Sequence, residues 1–264
     1  MSGLDSRKKN TARHEFKNLS RFPGLFHGVY TRHGGVSPPP FDSLNVSWNV
    51  GDEEARVRSN LVKIHAEMGV DFLVSSPQVH GNEVHVIHEA AIASYGNRHP
   101  VLLTPPGDAL VTRLKGVGLL IKVADCQSIL LLDPVSETIA NVHSGWRGSV
   151  AEIAKKTVSL MVERFGADPP SMLAAVGPSL GPCCAEFVNH ERELPKSFLD
   201  FQVRPNHFDF WAITRRQLMD EGLKLENIEI AGRCTVCEKD NFFSYRGLGE
   251  TGRLASVIGW KAVR

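Results

Sequence analysis

Two histidines and a cysteine stand where chemistry could be done: His80 in "SSPQVHGNEVHVIHE", Cys126 in "KVADCQSILLLD" and His143 in "ANVHSGWRGSV". Each lies at the edge of an apolar or alternating run, beside a turn or at the foot of a helix. There a rigid scaffold can hold the backbone while the side chain stays open to a ligand. Two imidazoles and one thiolate are the donor set of a catalytic zinc site, in which three protein ligands leave the fourth tetrahedral position for water or substrate. The separations match no short zinc signature, so residue type alone leaves structural roles open. Cys126 also admits a metal-free chemistry, as a nucleophile with His80 or His143 as its base in an amide hydrolase. A third reading is a zinc-stabilised binding module without turnover. His85 and His88 read as ordinary strand residues.

The elements that must present these groups are visible as hydrophobic periodicity. "GDEEARVRSNLVKIHAEMGV" sets Val57, Leu61, Ile64 and Met68 at helical spacing, with acidic residues where the dipole of a first turn favours them. After His143, Ser149 and Glu152 have the spacing of a capping box, and Ile153, Val158, Met161 and Phe165 form an apolar stripe that stops at Gly166. "EVHVIH", "VGLLIKVA", "SILLLD", "TIANVH", "MLAAVG", "IEIAG" and "FFSY" read as strands, and "FDFWAITRRQLMDEG" as a helix. Hairpin-length connections between the central strands argue for mixed α/β layers rather than a doubly wound parallel sheet. No repeat or linker-like break divides the chain. A loosely held tail is expected over residues 1–20 and a single domain over 21–264.

Composition narrows the partner. Thirty Lys and Arg against twenty-nine Asp and Glu give a net charge of +1, with no run of like charges suited to nucleic acid or a membrane surface, so a small molecule is expected. The polar N-terminus and the lack of any window near the roughly 18 apolar residues of a membrane span predict a cytoplasmic protein. Five cysteines, an odd number, argue against a disulfide framework. Cys234 and Cys237 have redox or zinc-knuckle spacing, but without a second CxxC pair they are given a structural role. Cys183 and Cys184 read as packed small hydrophobes. Trp146 reads first as core packing and second as a stacking platform.

The chain resembles the YfiH or laccase-domain family, also described as peptidoglycan editing factors, which includes bacterial purine nucleoside phosphorylases and FAMIN-like enzymes. The resemblance rests on "TRHGGVSPPPFDSLNVSWNVGD", "QVHGNEVHVI", "GDALVT", "VADCQSILLLDP", "ANVHSGWRGSV", "AAVGPSLGPCCAEF" and "CTVCEKDNFFSYRGLGETGRLASVIG". The first twenty or so residues and those from Asn189 to Gln217 carry little of it. It implies that His80, Cys126 and His143 bind zinc, within a single mixed α/β (α+β) domain of two packed sheets flanked by helices, four layers α/β/β/α.

The implied activity is phosphorolysis of adenosine, inosine, guanosine and methylthioadenosine to base and ribose 1-phosphate, together with adenosine deamination. The partners are then purine nucleosides and phosphate, and the chain a monomer or weak homodimer. Asp125 is the candidate for moving a proton, although strand alternation could turn it from the metal. Arg32 in "TRHGG" and Arg147 in "GWRG" are candidates for phosphate, because a guanidinium fork matches it bidentately and a helix start after Gly148 favours an anion. Either arginine could instead brace a loop. Asn45 could hydrogen-bond substrate or satisfy a turn. Peptidoglycan fragments are the substrates the relationship implies for the amide-hydrolase alternative. A copper-dependent polyphenol oxidase needs paired HxH ligands, which none of the eleven histidines forms, while copper could still occupy the His-Cys-His site in vitro.

Overall fold

The runs at 127–133 and 138–144 have short apolar centres and are buried on both faces, as strands are when layers cover them on either side. The computed structural model, which describes residues 12–262, buries every residue of both. Along the chain run β1 (Arg13–His14), β2 (Leu25–Tyr30), α1 (Glu54–Met68), β3 (Phe72–Ser75), β4 (Val84–Val86), α2 (Glu89–Ile92), β5 (Gly96–Arg98), β6 (Val101–Leu103), β7 (Ala109–Thr112), β8 (Val117–Val123), β9 (Gln127–Asp133) and β10 (Thr138–Ser144). Then come α3 (Trp146–Val150), α4 (Ile153–Phe165), β11 (Leu173–Val176), α5 (His190–Glu193), β12 (Gln202–Arg204), β13 (His207–Phe208), α6 (Phe210–Asp220), β14 (Ile228–Ile230), α7 (Tyr245–Leu248) and β15 (Leu254–Trp260).

Two mixed sheets result. One has seven strands in the order β1-β2-β15-β8-β3-β6-β5, the other six in the order β14-β11-β9-β10-β7-β4, and β12 and β13 form a separate ribbon. A core with Val74, Leu119 and Ile121 from the first sheet and Leu110, Leu130 and Ile139 from the second lies between them. Val57, Leu61, Ile64 and Met68 of α1 cover the outer face of the seven-stranded sheet, as their spacing predicts. Ile153, Val158 and Met161 of α4 cover the six-stranded one, with Leu218 of α6 in the same cluster. The order is therefore α/β/β/α.

The chain passes between the sheets at two places that matter for function. Between β3 and β4 it leaves the seven-stranded sheet for the six-stranded one, and between β8 and β9 it does so again through only Ala124, Asp125 and Cys126. His80 and Cys126 lie on these crossovers.

Several expectations are corrected. Of the expected tail, residues 1–11 lie outside the described residues, but Arg13 and His14 pair with β2, and Phe16 and Leu19 are fully buried. Their apolar side chains gain more from the inter-sheet core than the chain loses in freedom. Ser149 and Glu152 form no capping box: Glu152 itself precedes α4 in the left-handed region without a side-chain cap, and the Ser149 hydroxyl meets that of Ser144 at 3.1 Å. "FFSY" is no strand. Phe242 and Phe243 are buried anchors, and Ser244 caps α7 by accepting from Gly247 N at 3.0 Å. Cys183 is exposed and Cys184 half-buried, so neither is core filler.

One polar group stitches the sheets. Asn141 on β10 is fully buried and donates through Nδ2 to Leu119 O on β8 at 3.1 Å and to Ser256 O on β15 at 2.9 Å. Replacing Asn141 by Ala is expected to cost about 2–3 kcal/mol through the lost bonds and the cavity left behind. The check is a urea unfolding curve whose midpoint falls while its slope stays constant.

Candidate functional site

The site is built around a buried carboxylate. Asp108, just before β7, is fully buried and accepts from His143 Nδ1 at 2.8 Å, His80 N at 3.0 Å, Gly81 N at 2.8 Å and Val79 N at 3.3 Å. Its carbonyl oxygen also accepts from His143 N at 2.7 Å. With Nδ1 committed to a carboxylate, Nε2 is the atom His143 has for a ligand, which is the usual outer-shell arrangement of a metal-binding histidine. His80 and Asp125 both have left-handed backbones, φ 59° and φ 82°, and so place uncommon strain beside the site.

The ligand atoms of His80, Cys126 and His143 lie within 4.8 Å of one another. The edges of a zinc tetrahedron are about 3.5 Å, so small rotations of these side chains would close around an ion. Two imidazoles and a thiolate suit zinc or copper, and the carboxylate behind His143 completes the fit. The space is kept open by Gly145, where an added Cβ would come to 3.0 Å from Cys126 Sγ and 3.2 Å from His80 Cδ2. Burial alone would push the Cys126 thiol up, but the charge of His143 and hydrogen bonds from His143 and His80 hold it well below its ordinary value. Burial would likewise lower His143, yet the Cys126 charge and the Asp108 carboxylate hold it raised.

The three residues open onto a cavity of about 530 Å³, a volume suited to a drug-sized ligand. Trp146, Phe187 and Phe210 form an aromatic wall, with the Trp146 and Phe187 rings edge-to-face at 6.3 Å. Trp146 thus packs on its neighbours and faces the cavity as well. Lys122, Arg246 and Arg253 also line it. Arg246 donates to Glu186 O at 2.9 Å, and Arg253 donates through Nη1 to Thr251 O and Gly252 O. Burial, with the Arg98 charge in addition, lowers Lys122 to about 8.

Of the other residues expected at the site, Arg32, Arg147 and Asn45 do not line the cavity, whereas Asp125 does. Arg32 donates to Asp42 O, Asp42 Oδ1 and Lys239 O, and stacks on Phe243 at 4.8 Å, which makes it a brace between loops. Arg147 is exposed and its guanidinium lies over the Trp146 ring at 4.2 Å. Asn45 is buried and acts at one remove, its Oδ1 accepting from Arg253 N at 2.9 Å. Asp125 reaches the cavity wall, but its carboxylate accepts from Thr235 Oγ1, Ser244 Oγ and Arg246 N, each at 2.6 Å. Asp108, Arg246 and Arg253 were not singled out in the sequence. The signal for Asp108 was a lone acid before the apolar run in "GDALVT", while nothing local distinguishes the two arginines from the rest.

Known proteins resemble this chain over most of its length. A family model described as multi-copper polyphenol oxidoreductase laccase matches residues 26–261. The chain is 32% identical to a purine nucleoside phosphorylase of Bacteroides thetaiotaomicron over 92% of its length and 94% of that protein. It is 33% identical to the purine nucleoside phosphorylase YfiH of Escherichia coli over 86% of its own length and 90% of the relative's. The crystal structure of YlmD from Geobacillus stearothermophilus superposes with a TM-score of 0.83 at 28% identity, covering 98% of both chains. Among the described residues no helix is long and apolar enough to cross a membrane.

The Asp108 cluster predicts a specific defect. Asp108→Asn keeps the shape but loses the anion that orients His143 and gathers three backbone amides, and metal affinity is expected to fall about 10–100-fold. Competition with a chromophoric chelator measures it; wild-type affinity would remove Asp108 from its role.

Proposed function

The chain belongs to the YfiH (laccase-domain) family, and from that premise we propose that it is a zinc-dependent purine nucleoside phosphorylase with adenosine deaminase activity. Its substrates are adenosine, inosine, guanosine and methylthioadenosine, cleaved with phosphate to the free base and ribose 1-phosphate. The observation that carries this reading is one cavity that joins a His-Cys-His donor set, an aromatic wall and two arginines. His80, Cys126 and His143 hold the ion. A zinc ion held there would supply the Lewis-acid activation of water that deamination requires.

The chain's own residues do the rest. Trp146, Phe187 and Phe210 give a flat purine an apolar face to lie on. Arg246 and Arg253 hold phosphate against the ribose, where positive charge develops as the base departs, and a fixed anion there stabilises that charge. Lys122 adds a third cation. Asp125 fixes the Arg246 backbone and so positions the phosphate site instead of moving a proton. Asn45 does the same for Arg253.

A second reading has its own observation in favour. Asp108, His143 and Cys126 follow one another as carboxylate, imidazole and depressed thiol, the order of a nucleophilic triad. In that amide-hydrolase reading, activity on peptidoglycan fragments survives chelation and is lost on alkylation of Cys126. The polyphenol oxidase activity suggested by the family model's description is not adopted. Among the described residues only one metal-capable group contains histidine, and a multicopper cluster needs several.

The decisive assay follows adenosine with metal-quantified protein, with and without phosphate, resolving adenine, ribose 1-phosphate and inosine. Adenine and ribose 1-phosphate are expected only with phosphate and in proportion to zinc. Alanine at His80, Cys126 or His143 is expected to lower turnover by at least about 100-fold with the circular dichroism spectrum unchanged. A wild-type rate in any one variant sinks that residue's role.

Lys122 gives a pH signature. Its charge is complete well below about 8 and is lost as the pH rises through that value, so the KM for phosphate should climb above pH 8. Inorganic phosphate is already a dianion there and contributes no change of its own. Lys122→Met should raise KM at pH 7 and flatten the climb.

A further inference from the structure

Four cysteines that the cavity does not use meet on the far side of its wall. Cys183 and Cys184 follow the Gly181-Pro182 segment, and Cys234 and Cys237 stand just beyond β14, at least fifty residues away in sequence. Their four Sγ atoms lie within 4.8 Å of one another, with Cys183 to Cys237 at 3.5 Å and Cys184 to Cys237 at 3.6 Å. A disulfide needs about 2.05 Å between sulfurs, so these are not bonded pairs. Four sulfurs each about 2.3 Å from a central zinc stand about 3.75 Å apart, close to the spacing seen here. The first sulfur of the CxxC segment also accepts an amide, with Gly181 N to Cys234 Sγ at 3.4 Å, as a sulfur bearing thiolate charge should. Cys183 and Cys237 are exposed, where unprotected thiols are a liability unless something occupies them.

We propose that Cys183, Cys184, Cys234 and Cys237 form a second, structural metal site that holds one zinc ion through four thiolates. A closed S4 set leaves no position for substrate, so its work is mechanical. The two segments it ties are the ones that carry the cavity wall. Leu180 N donates to Asp125 O at 2.8 Å on one side of the cluster, and Thr235 Oγ1 donates to Asp125 Oδ1 on the other. Leu180 and Arg246 line the cavity, so the ion would clamp the 180s segment to the 230s–240s segment and keep Arg246 in place. Metal binding here contributes directly to folding of this corner, because the unfolded chain has no preformed site. The inference stands apart from the nucleoside reading, since it needs neither His80 nor Cys126.

The test is metal content and ligation in protein purified without added metal or chelator. Wild-type protein is expected to carry two zinc ions per chain. Cys126→Ser should retain one, whose X-ray absorption shows four sulfurs at about 2.3 Å, and Cys237→Ser should lose that ion and melt at a lower temperature. If Cys237→Ser does not fold, the Cys126→Ser spectrum decides alone, because that variant leaves the cluster intact. No stoichiometric metal in Cys126→Ser, a nitrogen- or oxygen-dominated shell, or these four cysteines recovered as disulfides under denaturing thiol counting would each overturn the proposal. Loss of nucleoside turnover in Cys126→Ser bears only on the active-site reading.

Discussion

Asp108 is a carboxylate with no access to water, and an anion so placed survives only if donors surround it. The donors it finds are the amides at 79–81 and the ring of His143. These are the backbone of one crossover and the end of β10. One unavoidable electrostatic debt therefore brings two of the three ligand residues into register, and sets which nitrogen of His143 faces the cavity. The left-handed turn at His80 follows from the same requirement, since the three successive amides must all point at one group.

Asp125 plays the corresponding part on the opposite wall. It lies within the three-residue passage from β8 to β9, next to Cys126, and its side chain and carbonyl collect Leu180, Thr235, Ser244 and Arg246. The segments that carry His80, His143, Leu180 and Arg246 are thus each anchored to one of two aspartates. The cationic side chains are held by backbone carbonyls instead of counter-charges: Arg246 by Glu186 O, Arg253 by Thr251 O and Gly252 O. Carbonyl partners leave neither guanidinium committed to a carboxylate ion pair among the described residues. Arg32, by contrast, is paired with Asp42.

How much of this was legible depended on how local the cause was. The α1 stripe and the central strands follow from periodicity; the donor set of His80, Cys126 and His143 was only suggested by residue type and position at run edges, and it was the family resemblance that implied it. What could not be read was the direction of a side chain whose partner is distant in sequence. Arg32 and Arg253 differ only in what the fold places opposite them. "FFSY" alternates like a strand, but its phenylalanines are needed in the core beside a helix start. β2 and β15 went unread because they acquire meaning only through each other and β8. The cysteine pairs looked inert one at a time, since a four-sulfur cluster split across the sequence has no linear signature.

The position of β15 carries a temporal consequence. It lies between β2 and β8, forming the middle of the seven-stranded sheet from residues 254–260. The crossovers bearing His80 and Cys126 spring from β3 and β8 of that sheet. His80, Cys126 and His143 are therefore all synthesised well before the strand that completes the sheet aligning them.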